Sequence, residues 1–98
     1  MSVPRTPAGH FTVLYFAAAA SYTGRQHDFF PAPIRSDRLF EVLEERYKNI
    51  TARVLSSCAI TVNFDYITIV EDGAEGALSS MDIEEGDEVA IIPPVSSG

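Results

Sequence analysis

Glu85-Gly86-Asp87-Glu88-Val89-Ala90-Ile91-Ile92-Pro93-Pro94 is the stretch on which the reading of the fold turns. Ile83 to Asp87 read as a tight acidic turn, which feeds Glu88 and then Val89 to Ile92, an unbroken apolar run. Four such residues just before two prolines predict a central, well-covered strand. Pro93 and Pro94 then end it, because proline has a fixed φ and no N–H to give to a sheet ladder. A chain whose last regular segment is an interior strand must supply that strand's neighbours from earlier residues.

Those neighbours are visible upstream. Phe11 to Ala17 is rich in aromatic and β-branched residues and reads as a strand. Alternation puts Phe11, Val13 and Tyr15 on one face and Thr12, Leu14 and Phe16 on the other. Ala17 to Tyr22 favours a short helical turn stopped by Thr23-Gly24, and Arg25 to Phe30 returns as a second strand ended by Pro31 and Pro33. Ser36 is placed to cap a helix, with Asp37 beside it at the positive end of the dipole. From there Leu39, Val42, Leu43, Tyr47 and Ile50 recur at three- and four-residue spacing, the stripe of an amphipathic helix facing a sheet. Glu44 and Lys48 form an i,i+4 pair in the favoured order. Ala59–Val62 and Tyr66–Val70 read as strands about an Asn63-Phe64-Asp65 turn, and Glu71 to Gly76 reads as loop. The resulting order, β-β-α-β-β with a final interior strand, predicts an α+β fold, a mixed sheet packed on one main helix. It is compatible with the ubiquitin-like β-grasp. The expected organisation is a loose arm over residues 1–10, the domain over 11–92, and an extended flexible tail over 93–98.

Composition narrows the function. The 98 residues are 46% hydrophobic, which suits one domain with one core. The formal charge is −7, and only seven Lys and Arg are present. Phosphate-backbone contacts need clustered cations, so nucleic-acid binding is disfavoured and partners with basic surfaces are favoured. The longest apolar run, Val13 to Ala20, is too short to span a bilayer, and the N-terminus lacks the succession of a signal peptide, so a cytoplasmic protein off the membrane is expected. Asn49-Ile50-Thr51 fits a glycosylation sequon but has no secretory route behind it. One cysteine, Cys58, excludes an internal disulfide, and its apolar surroundings read as those of a buried thiol.

No catalytic constellation emerges. His10 and His27 lack partners at metal-ligand spacing, so no metal is expected. Asp82, Glu84, Glu85, Asp87 and Glu88 lack the glycine and terminal glutamate of a calcium loop. They read as a solvated turn or as docking charge. The chain is not expected to catalyse a reaction alone. The end is more informative. After the stiff prolines come Val95, Ser96, Ser97 and Gly98, small residues that can thread a narrow channel and present a terminal carboxylate unhindered by a Cβ. Residues 93–98 span on the order of 20 Å when extended. A frayed tail, or an engineered one, is the competing reading.

Residues Glu85 to Gly98 resemble the closing signature of molybdopterin synthase small subunits: an acidic Gly-Asp-Glu turn, a hydrophobic strand, Pro-Pro-Val and a glycine end. Val13-Leu14-Tyr15-Phe16-Ala17 is similar to that family's first strand, and Ala59 to Asn63 to its Val-Asn turn. The resemblance implies a sulfur carrier of the ubiquitin-like β-grasp class. It implies that an activating enzyme uses ATP to adenylate Gly98, which is then thiocarboxylated, and that the chain itself binds no cofactor. Pro93, Pro94, Val95, Ser96 and Ser97 would form the arm that enters the synthase large subunit, where sulfur passes to a cyclic pterin precursor in molybdenum cofactor biosynthesis. It also sets Phe16, Tyr66 and Ile92 against that subunit; alternation places Phe16 and Ile92 away from the helix, and the competing reading is that these residues close a second small core. Ser97 replaces the family's usual penultimate glycine, and the Glu71 to Ser80 loop is longer than in compact members. The alternatives are a sulfur carrier or modifier of another pathway, thiamin synthesis or tRNA thiolation, and a non-covalent ubiquitin-like interaction module.

Overall fold

Alternation along the first strand decides which way the sheet faces. In β1 (His10–Tyr15), Phe11, Val13 and Tyr15 are buried, while Leu14 is only half-buried on the opposite side. The structure, a computed structural model, describes residues 5–67 and 82–94. His10 opens β1, so the strand starts one residue before the expected Phe11, and it ends at Tyr15 because Ala17 (φ 50°) turns the chain into α1 (Ala18–Thr23). Gly24, at φ 73°, closes α1 by donating its N–H to the Ala20 carbonyl at 2.8 Å. The chain returns antiparallel as β2 (His27–Pro31), then runs through β3 (Ile34–Arg35) and a 3₁₀ turn (Ser36–Arg38) into α2 (Leu39–Arg46).

The main helix is shorter than its periodicity predicts, and it begins differently. Ser36 is the buried first residue of the 3₁₀ turn, and the N-cap position of α2 falls to Arg38, whose side chain makes no cap hydrogen bond. The helix stops at Arg46, after which Asn49 adopts φ 70° and Ile50 begins a separate turn, α3 (Ile50–Arg53). Glu44 explains the break. Its carboxylate accepts the Asn49 N–H (2.6 Å) and the Thr51 N–H (3.1 Å), serving as the cap of α3 as well as a charge facing Lys48. These two backbone bonds, the Asn49 bond first, hold the Glu44 carboxyl below the ordinary glutamate range. Leu39, Leu43 and Ile50 still point into the core as the stripe predicts, while Val42 and Tyr47 pack at its edge.

A second 3₁₀ turn (Leu55–Ser57) leads into β4 (Ala59–Val62), β5 (Asp65–Ile67), β6 (Asp82–Ile83) and finally β7 (Glu88–Ile92). The five-stranded sheet has the order β2-β1-β7-β4-β5, with β1 and β7 parallel and the other neighbours antiparallel. The last strand is therefore central, as its composition predicts. It is covered on one face only: Val89 and Ile91 are buried under the helices, but Glu88, Ala90 and Ile92 remain partly open. The described helices pack against the first face; among the described residues the second is open around Leu14, Ala90 and Ile92, while Thr12 on it is buried beside Thr6.

Ile83 departs from the sequence reading, which put it in the acidic turn. It is fully buried in β6, which pairs with β3 through Ile34↔Ile83 and Arg35↔Asp82. The turn proper is Glu84 to Asp87, closed by Asp87 N–H to Glu84 O (3.0 Å) and Glu84 N–H to Asp87 Oδ2 (2.8 Å), with Gly86 at φ 85°. The expected extension of β5 to Val70, the loop over residues 71–80 and the end of the tail, residues 95–98, lie outside the described residues.

Candidate functional site

The open part of the second face gathers its apolar residues by register. Leu14 of β1 pairs with Ala90 of β7, Ala90 with Thr61 of β4, and Thr61 with Tyr66 of β5, a lateral row across four strands. Phe16 and Ile92 border this row toward the end of β7, and Phe64 and Glu88 complete the lining. Small side chains at Ala90 and Thr61 make the floor of a shallow apolar trough, and bulky ones on either side make its walls. Phe16, Phe64 and Tyr66 are 47%, 85% and 74% exposed. Large aromatic groups left open side by side mark an interaction surface more often than a folding accident.

Phe16, Tyr66 and Ile92, the three expected patch residues, thus line one trough. With Tyr66 largely exposed, no second small core closes over it among the described residues. The sequence reading missed Leu14, Thr61, Phe64 and Ala90. For Leu14 and Ala90 the signal was available, since each shares a strand face with an expected patch residue. Phe64 was hidden by its place in a turn. Asn63 (φ 51°) and Phe64 (φ 75°) form the two-residue connection between Val62 and Asp65, and both occupy the left-handed region that such hairpin turns require. A bulky aromatic there is unusual, and that is the signal.

The tail leaves beside this trough. Because β1 and β7 run parallel, Phe16 and Ile92 lie toward the same end of the sheet, and the Phe16 N–H donates to the Ile91 carbonyl at 3.3 Å just before the prolines. Pro93 is half-buried and Pro94 exposed, both outside regular structure. Val95, Ser96, Ser97 and Gly98 lie outside the described residues.

The remaining candidates are structural. Asp87 builds its own turn and also accepts Asn63 Nδ2 (3.1 Å), while Glu85 accepts the Gly9 N–H (2.7 Å). Asn63 Oδ1 in turn accepts the Glu88 N–H (3.0 Å), which ties the hairpin to the acidic turn. Cys58 is half-buried, its thiol pushed up by burial and donated to the Val54 carbonyl at 3.0 Å, the opposite of an activated nucleophile. His10 Nδ1 lies 2.9 Å from the Ala8 carbonyl, and the His27 ring packs on Phe29. Among the described residues no group of His, Cys, Asp and Glu is placed to hold a metal, and no helix is long and apolar enough to cross a membrane.

A trough beside the start of a C-terminal tail acquires meaning from the chain's relatives. The model of the ThiS family matches residues 13–98. The chain belongs to the ThiS family. It is 56% identical over 98 residues, the whole of both chains, to the molybdopterin synthase sulfur carrier subunit of Pyrenophora tritici-repentis. Among solved structures it is similar to SAMP1 of Haloferax volcanii (TM-score 0.66, 20% identity, 92% of this chain and 100% of that one). It is also similar to a chain in the complex of subunits 1 and 2 of the molybdopterin-converting factor of Helicobacter pylori (TM-score 0.54, 22% identity, 91% and 99%). These structural likenesses establish the ubiquitin-like β-grasp fold for this ThiS-family chain.

Proposed function

We propose that this chain is the sulfur carrier subunit of a molybdopterin synthase, and that Gly98 carries the sulfur as a thiocarboxylate. The observation that carries the reading is the full-length likeness to a relative of that name. The geometry supports it, since an apolar trough lies beside the strand from which a stiffened tail departs. An activating enzyme would adenylate the Gly98 carboxylate with ATP, and sulfur would replace the adenylate. The chain itself would hold no cofactor, and the exchange would run in the cytoplasm.

The trough would then dock on the large subunit, with Phe16, Phe64, Tyr66 and Ile92 as anchors. Apolar contact supplies affinity there, and residues 93–98 reach on the order of 20 Å into the partner's site. Acid–base chemistry at the pterin would belong to that partner. The test is reconstitution. Thiocarboxylated chain mixed with the large subunit and the cyclic pterin precursor should yield molybdopterin and return the plain carboxylate. Failure with an active large subunit, or transfer only in a thiamin or tRNA-thiolation system, would overturn the assignment.

A further inference from the structure

Asp28 lies on the core side of β2, opposite Val13, and is 2% exposed. A carboxylate taken so far from water costs several kcal/mol unless partners replace the lost hydration. Three donors and an ion pair do so. Tyr15 Oη (2.9 Å) and Tyr47 Oη donate to Oδ2, Arg46 Nη1 donates to Oδ1 (3.4 Å), and the Arg25 guanidinium pairs with Oδ1 by charge, its Nε 2.8 Å away. Burial, reinforced by the charge of Asp28, holds the Tyr15 phenol far above the ordinary tyrosine range, so it remains a donor.

The charges do not balance. One carboxylate serves two guanidinium groups, leaving one positive charge in excess. Because both arginines meet a single oxygen, their donor nitrogens are no further apart than those two bonds laid end to end. Each is also steadied from behind: Arg25 Nε donates to the His27 carbonyl (3.2 Å), and the Arg46 guanidinium lies 4.8 Å from the Phe30 ring centroid. Yet their side chains are 57% and 48% exposed. Only some of the five N–H groups on each fork are engaged. This is a pre-organised cationic pair on a chain whose formal charge is −7. It sits on the helix-covered side of the edge strand β2, across the sheet from the trough, and toward the end where the tail departs: His27 is opposite Leu14, and Tyr15, which holds Asp28, is opposite Ile91. The acidic turn lies at the other end, beside His10.

We propose that Arg25 and Arg46 form a docking point for one carboxylate side chain of the large subunit that receives the tail. The proposal rests on the carrier reading above. A single carboxylate cancels the excess charge and matches the guanidinium geometry, whereas a phosphate dianion would reverse the sign.

Calorimetric titration with the large subunit tests it. Arg25→Gln and Arg46→Gln, made singly so that Asp28 keeps one arginine, should each weaken binding about ten-fold at low salt, with the difference shrinking as salt rises. Arg25→Lys, which keeps the charge but not the planar fork, should recover only part of the loss. Arg38→Gln, an exposed arginine paired with Glu41 elsewhere on the surface, should bind like the parent, which separates the local effect from net charge. Melting temperatures report folding independently. Parent-like affinity in both glutamine variants at low salt overturns the docking point. So does competition by inorganic phosphate at matched ionic strength, which would make it a phosphate site. A parent chain that does not bind the large subunit at all sinks the carrier reading itself, and the docking point with it.

Discussion

Replacing Phe64 by glycine should make the protein more stable and worse at its work. Phe64 sits at φ 75° in the two-residue turn between β4 and β5, and its side chain is 85% exposed. A bulky L-residue in the left-handed region costs about 1–2 kcal/mol, which glycine avoids. Glycine returns roughly 0.5–1 kcal/mol of backbone freedom to the unfolded chain. Little burial is lost with so open a ring, so the net gain is about 0.5–1 kcal/mol. For a chain of this size that raises Tm by about 2–8 °C. The same change removes an aromatic wall of the trough, and truncating such an anchor weakens binding by about ten-fold or more. Scanning calorimetry and titration with the large subunit read the two effects separately. A fall in Tm would refute the strain argument, and unchanged affinity would remove Phe64 from the docking face.

Three further substitutions probe other links. Glu44→Gln should lower the urea midpoint at pH 7, because the native carboxylate is held below its ordinary range and adds stability only while ionised. The gap should close as pH falls through that lowered value, and a gap constant with pH would refute the cap. Deleting Gly98 should leave the far-UV circular dichroism unchanged and abolish sulfur transfer, so parent-like activity would refute the carrier terminus. Ser97→Val, branched at Cβ, should slow single-turnover transfer from preformed thiocarboxylate strongly, while Ser97→Gly changes it little. A valine variant as fast as the parent would contradict a threaded arm.

Much of the fold is legible because periodicity reports burial directly. The alternation of Phe11, Val13 and Tyr15 and the apolar run ending at Ile92 locate the core and the central strand. The helix stripe identifies Leu39, Leu43 and Ile50 correctly yet misplaces the helix end, since a side-chain-to-backbone cap from Glu44 leaves no mark on hydrophobic spacing. The β3–β6 ribbon is too short to show a period, so only tertiary contact explains why Ile83 is buried. The docking face is half legible. Alternation finds Phe16 and Ile92 and carries the signal for Leu14, but the wall at Phe64 depends on a positive φ, and the parallel β1–β7 register brings these residues together. The Asp28 cluster is not legible at all, because its five residues are scattered between positions 15 and 47 and meet only in the fold. For the tail the reverse holds: its assignment comes from residue types and relatives alone.

The central claim is that Gly98 carries sulfur, and intact-mass measurement tests it most directly. The chain is incubated with the activating enzyme, ATP and a sulfur donor, beside a carrier that enzyme is known to modify. The account predicts a mass increase equal to one oxygen replaced by one sulfur, mapped to Gly98 by fragmentation and absent without ATP. An unchanged mass while the control carrier is converted would contradict it.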